Sequence, residues 1–324
     1  MMETQLSNSG NPAPKPGHRA PLALSGLDFK LLKVFKAVVE AGGFSAAQNE
    51  LNVGLAAISK QISDLEIRIG MRLCTRGREG FCLTEEGSLV YQASIDLFAS
   101  VDNFRDRLGS AQNELIGDLS VGVVDNTISD LNSPLVAALR KIHDESPKVR
   151  FRLHAAQLDE VERGVVEGRY IAGIVPFYQK REEFDYFTLY EERSEAYCGI
   201  GHPLFDADDA HNSVEVLREH PFVNHRYAIH RDKLDFVTYD SFSASASQVE
   251  AVAMLVQTGR FLGFLPQHYA APLVAKGLLR ALMPERVSYC TPFNLILRHN
   301  TTRSPLVKAF ARALGVDLKA PLQG

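Results

Sequence analysis

The sequence predicts an α/β protein with a helix-turn-helix near its amino end, a long helix after it and a larger α/β region. Residues 44–66 hold two short helical patterns separated by a tight connection. Residues 85–115 contain no proline, and their apolar side chains keep coiled-coil spacing. From Gly117 onward strand patterns alternate with helix patterns, which is typical of an α/β domain.

Composition sets broad limits on the class of protein. A chain of 324 residues with 45% hydrophobic content can bury a full core and is long enough for two domains. The net charge of -4 is not typical of a nucleic-acid-binding protein, so DNA binding would depend on locally placed cations. No apolar run approaches a membrane span and no secretory leader is recognisable, so we expect a cytoplasmic protein.

Patterns for catalysis, cofactors and metals are missing from the sequence. No nucleophile elbow, phosphate-binding loop or dinucleotide-binding loop occurs, so we expect neither an enzyme nor a cofactor. His220, His225 and His230 are five residues apart and cannot share one helical face, which argues against a metal site. The cysteines form no paired motif and are expected to be small core residues; they are Cys74, Cys82, Cys198 and Cys290.

The amino-terminal elements follow from helical periodicity. Residues 1–26 lack periodic apolar residues and predict a disordered tail. A first amphipathic helix starts at Asp28 and is stopped by Gly42 and Gly43. In the helix-turn-helix, Ser45 is predicted to cap the first helix and Gly54 the second. The inward residues are Ala47 and Leu51 in the first helix and Ala57, Ile58, Ile62, Leu65 and Ile69 in the second.

The opposite face of the second helix carries mostly small or polar groups near its amino end. A recognition helix would present such residues to base edges in a major groove. Residues 72–74 and 80–83 are predicted to pair as a hairpin around Gly77, a wing whose tip arginines would meet phosphates. The assigned DNA contacts are Ser45, Leu55, Ala56, Ser59, Lys60, Arg76 and Arg78. The alternative is an ordinary helix pair with solvated loop arginines.

The long helix is predicted to begin at Thr84 and to continue through Leu115. Its apolar residues alternate steps of four and three, whereas a helix buried in a domain core would show a broader stripe. The pattern favours pairing with a second copy of the chain, which would place two recognition helices about one dyad. The seam residues are Leu97, Val101, Phe104, Leu108, Ala111 and Leu115.

Three motifs lie in this region: a run from Phe44 that reads F-S-A-A and continues through A-I-S-K-Q-I to Leu65-Glu66, then Gly70-Met71-Arg72-Leu73, and then Leu83-Thr84-Glu85-Glu86-Gly87. Together they resemble the amino-terminal domain of LysR-type transcriptional regulators. The motifs cover Leu27 to about Gly87, and a looser resemblance continues to about Leu314. Gly54-Leu55-Ala56 stands where the family usually has Ser-Gln-Pro, and Gln48 stands where alanine is frequent. Readout should therefore depend on Ser59 and Lys60, with apolar contacts to thymine methyls.

The resemblance implies a winged helix-turn-helix over 27–88, a linker and dimerisation helix over 89–116, and an effector-binding domain over 117–324. It also implies homodimers that associate into tetramers. The effector-binding domain is similar to periplasmic solute-binding proteins, with lobe I over about 117–190 and 292–324 and lobe II over about 191–291.

Elements within this domain follow from the alternating patterns. We expect lobe I strands at 119–125, 149–155 and 171–176 and helices at 132–145 and 158–168, forming a mostly parallel sheet. Residues 187–204 would cross to lobe II, which would contain strands at 222–223 and 236–238, a helix at 248–257 and the segment 259–266. Residues 288–298 would return to lobe I before a helix that starts at Ser304.

Two lobes joined by crossing strands leave a cleft at the strand ends, where small molecules bind. The residues expected to face it are Asn126, Thr127, Pro176, Asn224, Ser243 and Ser245. Hydroxyls, amides and helix starts favour an anionic ligand, especially a carboxylate. Turns and caps need the same residue types, and Pro176 supplies no donor where relatives often have threonine.

These observations together predict a sequence-specific DNA-binding regulator controlled by a small-molecule effector. The alternative is a cytoplasmic small-molecule-binding or metabolic α/β protein in which the helix-turn-helix pattern is incidental.

Overall fold

The computed structural model describes residues 24–77, 80–111, 115–177, 179–207, 214–225, 242–299 and 301–322. The chain divides into two compact units, Met1–Asp96 and Leu97–Gly324, called here the amino-terminal unit and the carboxy-terminal unit. The predicted tail up to residue 23 lies outside the described residues. Among the helices that are described, none combines the length and the apolar character needed to cross a membrane.

The amino-terminal unit contains three helices, a hairpin and the start of a long fourth helix. These elements are α1 (Gly26–Glu40), α2 (Phe44–Leu51), α3 (Leu55–Ile69), β1 (Cys74–Gly77), β2 (Gly80–Leu83) and α4 (Glu85–Ala111). Helix α1 begins two residues earlier than expected because Ser25 and Asp28 cap it. The Asp28 carboxylate accepts hydrogen bonds from the Ser25 backbone N at 2.7 Å and from its Oγ at 2.6 Å.

Glycine is the N-cap residue of both helices of the helix-turn-helix. Gly43, at φ 146°, is the cap of α2, so the prediction that Ser45 caps this helix is wrong. A residue with a side chain would be strained at this φ, and Ser45 lies exposed in the first turn. Asn52 ends α2 in the left-handed conformation, and Gly54 caps α3 as predicted.

The inward face of α3 forms the centre of the amino-terminal core. Ile58, Ile62 and Leu65 are 0%, 2% and 0% exposed, which confirms the predicted stripe at these positions. Ile69 is only half-buried, and Ala57 is exposed, so its inward placement was wrong. Ala57 lies one residue, about 100° around the helix, from the line of Ile58 and Ile62 that meets the core.

The predicted hairpin forms, but its first strand is Cys74–Gly77 rather than residues 72–74. Strands β1 and β2 pair antiparallel from Cys74 opposite Leu83 to Gly77 opposite Gly80. Thr84 then caps α4, because its Oγ1 accepts a hydrogen bond from the Gly87 backbone N at 2.9 Å. Gly87 is required by packing, since a Cβ at this position would lie 1.8 Å from the Leu73 carbonyl oxygen.

Helix α4 begins in the amino-terminal unit and ends at Ala111 in the carboxy-terminal unit. Leu97 and Val101 are half-buried, and Phe104 is 62% exposed. The side chains of Leu108 and Ala111 lie outside the described residues. The seam prediction was wrong at Leu115, which follows the helix and packs against the carboxy-terminal core.

The carboxy-terminal unit alternates strands and helices. Its elements are β3 (Gly117–Val124), α5 (Leu135–Glu145), β4 (Val149–Ala156), α6 (Leu158–Val166), β5 (Ala172–Pro176), β6 (Phe184–Gly199), β7 (Phe222–His225), β8 (Phe242–Ala246), α7 (Val249–Gln257), β9 (Gly263–Pro266), α8 (Gln267–Ala275), β10 (Leu279–Ala281), β11 (Ser288–Arg298) and α9 (Pro305–Ala313). The expected strand at 236–238 lies outside the described residues.

The large sheet of this unit is mixed: the three predicted lobe I strands pair parallel, as expected, and the crossing strands join them antiparallel. Its strand order is β10-β6-β11-β5-β3-β4, with β9 also paired to β6. Only β4 and β5 run parallel to β3. The long strands β6 and β11 pair antiparallel from Glu195 opposite Ser288 to Phe184 opposite Arg298, and they carry the chain between the lobes.

Each lobe buries its own apolar residues. The lobe I cluster joins the parallel strands to α5, α6 and α9, and the first half of β6 contributes Phe184 and Tyr186 to it. Lobe II has two clusters, to which the second half of β6 contributes Ala196 and Tyr197. A single strand therefore belongs to both cores, which places the intervening residues of β6 where the lobes adjoin.

Candidate functional site

The outward face of α3 is the first candidate site. Leu55 is 43% exposed, and Ala56, Lys60 and Ser63 are also exposed. Ser59 is half-buried and lies one residue before Lys60. The predicted outward residues therefore do share a solvent-facing side, and its small side chains allow close approach of another molecule to the helix backbone.

Gln48 has a role that the sequence did not reveal. Its Oε1 accepts a hydrogen bond from the Leu55 backbone N at 3.0 Å, and its Nε2 donates to the Ser45 carbonyl at 3.3 Å. Because Gly54 has no side chain, Gln48 supplies a capping acceptor for α3 from the preceding helix. The sequence signal for this role was the position of Gln48 close to the turn that precedes α3.

Charged side chains hold α3 against its neighbours. The Arg68 guanidinium pairs with the Asp28 carboxylate of α1, with Nη2 to Oδ2 at 2.9 Å. This contact, together with the hydrogen bonds from Ser25, holds the pKa of the Asp28 carboxyl well below its usual value. On the other side, Glu66 accepts hydrogen bonds from the backbone N of Leu73 at 2.8 Å and of Cys74 at 3.3 Å.

The wing lies beside α2 through an aromatic contact. The rings of Phe44 and Phe81 meet edge to face with centroids 5.7 Å apart. Arg76 is in β1 opposite Phe81, but its side chain, like the whole of Arg78, lies outside the described residues.

The second candidate site is a cleft in the carboxy-terminal unit, lined from both lobes and from the crossing strands. The lining residues are Val124, Asp125, Gln157, Leu158, Pro176, Glu192, His225, Ser247, Val249 and Phe293.

Of the six residues predicted to face this cleft, Pro176 lines it. Asn126 instead donates a hydrogen bond to Asp125, and the buried Thr127 hydroxyl donates to the Val124 carbonyl at 2.8 Å. Asn224 and Ser245 are register partners in β7 and β8, and Ser243 is exposed.

Sequence reasoning placed the right loops beside the cleft but chose the wrong members of them. Asp125, His225 and Ser247 line it, each one or two residues from a predicted position. Gln157 directly follows β4 and therefore carried the same strand-end signal as Asp125. Glu192 carried no such signal, because only the fold brings the middle of β6 to the cleft.

Ionisable side chains concentrate at one end of the cleft. His268 on α8 contacts Glu192 Oε1 through Nε2 at 3.0 Å and Ser129 Oγ through Nδ1 at 2.9 Å. Its Nε2 also lies 3.7 Å from Asp130 Oδ2. Burial raises the pKa of Glu192, an effect that its hydrogen bond with His268 opposes. Burial lowers the pKa of His225.

Asp130, Glu192 and His268 also form a group that could hold a metal ion, since their ligand atoms lie within 4.8 Å of one another. They come from the loop after β3, from β6 and from α8. The sequence could not reveal this group, because its members are far apart in the chain and match no metal-binding spacing.

One backbone donor at the start of α7 is already occupied by a carboxylate of the protein itself. The Val249 backbone N, at the first residue of the helix, donates to Asp125 Oδ2 at 3.2 Å. The protein's own carboxylate therefore occupies a donor that was expected to hold a carboxylate ligand. This contact uses up one of the backbone donors on which the expectation of an anionic effector was based.

A winged helix-turn-helix in one unit and a two-lobed α/β domain with a cleft in the other together define a ligand-responsive transcriptional regulator. Residues 29–88 match the family described as bacterial regulatory helix-turn-helix protein, lysR family, and residues 112–317 match the LysR substrate binding domain. The chain belongs to the LysR family of transcriptional regulators.

Similar proteins support this membership. The chain is 36% identical over 294 residues to the transcriptional activator BauR of Pseudomonas aeruginosa, covering 91% of this chain and 96% of BauR. Full-length OxyR from Pseudomonas aeruginosa is similar in fold, with a TM-score of 0.64, 15% identity and coverage of 93% of this chain and 99% of that one.

The full-length regulator CbnR, solved in complex with its target DNA, has a TM-score of 0.57, 19% identity and coverage of 89% of this chain and 98% of that one. At these identities the two solved structures show the fold alone. The predictions of family, fold class and regulatory function are thereby confirmed.

Proposed function

We propose that the exposed face of α3 and the wing contact double-stranded DNA. The contacts would come from Ser45, Leu55, Ala56, Ser59, Lys60, Arg76 and Arg78. The observation that carries this proposal is the solvent-facing start of α3, where Leu55 is 43% exposed beside Ala56 and Lys60. An exposed leucine among small residues suits contact with thymine methyls in a major groove. The complex of CbnR with DNA supports the same use of this fold.

The test uses a duplex selected from a random pool by the full-length protein. Lys60→Ala should weaken binding to this duplex by about 1 to 3 kcal/mol, measured by fluorescence anisotropy, because one contact to base or phosphate is lost. Lys308→Ala removes the same charge from an exposed position on α9 and should leave the affinity for DNA unchanged. Equal affinity of the Lys60 variant and the wild type would place the contact surface elsewhere.

The oligomer is proposed to form through α4, with Leu97, Val101, Phe104 and Leu108 as the seam of a dimer. The 62% exposure of Phe104 in one chain supports an apolar partner at this face. Val101→Asp should shift the sedimentation coefficient toward the monomer, whereas Ala99→Asp, which alters an exposed neighbour, should not. An unchanged oligomer in the Val101 variant would exclude this seam. Association of dimers into tetramers is part of the same proposal.

The effector is proposed to bind in the cleft and to act through its different affinities for two arrangements of the oligomer. Residues from both lobes line the cleft, so a ligand held there contacts both lobes at once. The protein would then work in the cytoplasm by binding, without turning over its effector. Titration of a bound effector should change the affinity or the footprint on the selected duplex, and a ligand that binds without either change would contradict this coupling.

A further inference from the structure

The described lining of the cleft carries negatively charged side chains. Two of the ten lining residues are carboxylates, Asp125 and Glu192, and none of the ten is lysine or arginine. Asp130 lies just behind Glu192, within reach of the same histidine. An anionic ligand would therefore meet carboxylates of like charge on entering the described part of the cleft.

The described contacts leave these carboxylates short of positive charge. Glu192 and Asp130 share one imidazole nitrogen, His268 Nε2, at 3.0 Å and 3.7 Å. The Asp130 side chain is only 2% exposed, and within the described residues its Oδ2 has no hydrogen-bond partner. A buried carboxylate oxygen without a donor costs free energy, so the surroundings of His268 favour an added cation or donor.

Asp125 adds a second carboxylate to the cleft lining. Its carboxylate accepts hydrogen bonds from the Asn126 amide at 2.9 Å and from the Val249 backbone N at 3.2 Å, both uncharged. Because Asp125 and Glu192 line the same cleft, their like charges repel each other. A cation between them would relieve this repulsion.

The remaining lining distinguishes an organic cation from a metal ion. Val124, Leu158 and Phe293 provide apolar walls beside the carboxylates. Hard metal ions need about six oxygen ligands and gain nothing from such walls, whereas a short alkyl chain buries against them favourably.

We infer that the effector of this regulator is a small organic amine whose ammonium group lies against Asp125 and Glu192. This inference rests on the proposed function of the cleft and adds the chemical class of its ligand. The ammonium donates charge-assisted hydrogen bonds to the two carboxylates, and the carbon chain packs against the apolar wall.

Matched four-carbon probes test the charge directly on the full-length protein. We expect n-butylamine, followed by calorimetry and thermal unfolding, to bind saturably, and n-butyrate and n-butanol not to bind. Glu192→Gln and Asp125→Asn should each weaken amine binding by about 10- to 100-fold, since each removes one charge-assisted hydrogen bond. Glu191→Gln makes the same change at the exposed neighbouring residue of β6 and should bind like the wild type.

Other outcomes overturn the inference. Binding of n-butyrate in place of n-butylamine would show an anion site. Binding of manganese(II) chloride that is lost in His268→Ala, with no amine binding, would assign the carboxylates to a metal. Failure of propylamine and butylamine alike would exclude an amine ligand. Thermal unfolding of each variant without ligand identifies any that fail to fold, and binding of the selected duplex tests the regulator function separately.

Discussion

The two candidate sites of this regulator are built in opposite ways. In the amino-terminal unit, apolar side chains such as Ile58 are buried while the residues proposed for contact face solvent. In the carboxy-terminal unit, the groups proposed for ligand contact are themselves partly buried, and Glu192 and His225 have pKa values displaced by that burial. A surface that reads DNA needs access, whereas a cleft that recognises a small ligand needs groups removed from water.

The largest expected effect tests whether the two faces of α3 differ as described. Leu65→Asp places a charge at a 0% exposed position and should destabilise the protein by about 3 to 5 kcal/mol in chemical unfolding. Ile67→Asp makes a similar change at a residue that is 75% exposed, two positions along the same helix, and should stay within about 0.5 kcal/mol of the wild type. Equal losses of stability in the two variants would show that the two faces of α3 do not differ in burial.

The next effect concerns how tightly the wing and α4 are joined. Gly→Ala in a helix usually stabilises, but Gly87→Ala brings a Cβ to 1.8 Å from the Leu73 carbonyl oxygen. We expect a loss of about 1 to 3 kcal/mol in thermal unfolding. Gly26→Ala, at a helical position with no atom within 4 Å of the added Cβ, should not destabilise. A Gly87 variant as stable as the wild type would show that this approach is not close.

His202, in the carboxy-terminal unit, should make the stability of the protein depend on pH. Burial, and then the neighbouring His220, lower the pKa of His202 from 6.5 to about 4. Between these two pH values the histidine is protonated in the unfolded chain but stays neutral in the folded chain. The free energy of unfolding therefore falls as the pH drops from 6.5 toward 4.

Thermal unfolding at several pH values checks the contribution of this histidine. His202→Gln should reduce the acid sensitivity by roughly 1 to 2 kcal/mol, and His143→Gln on the exposed face of α5 should leave it unchanged. If the His202 variant kept the full pH dependence, the titrating group would be another residue.

The smallest expected effect concerns the cap of α3. Gln48→Ala removes the acceptor for the Leu55 backbone N and should cost about 0.5 to 2 kcal/mol in chemical unfolding. Asn49→Ala, at the exposed neighbouring residue, is the matched control. A change at Asn49 as large as that at Gln48 would mean that general helix propensity, and not the cap, sets the stability.

The sequence by itself determined the helix-turn-helix, the wing hairpin, the linker helix, the three parallel strands of lobe I and the two crossing strands, whereas β8, β9 and β10 were not predicted as strands. These features depend on local periodicity and on motifs such as Leu83-Thr84-Glu85-Glu86-Gly87, which local reasoning can read. The errors at Ser45 and Ala57 are displacements of one or two residues, because the caps and the edges of a buried stripe depend on what packs nearby.

Only the tertiary structure decided the charge of the cleft. The hydroxyl and amide residues near helix starts indicated an anionic ligand, but Thr127 hydrogen-bonds to its own loop and Asp125 caps α7. Glu192 and His268 are separated by 76 residues and meet through a single hydrogen bond. Electrostatic recognition depends on distances between such segments, and those distances are set by the paired crossing strands rather than by any local pattern.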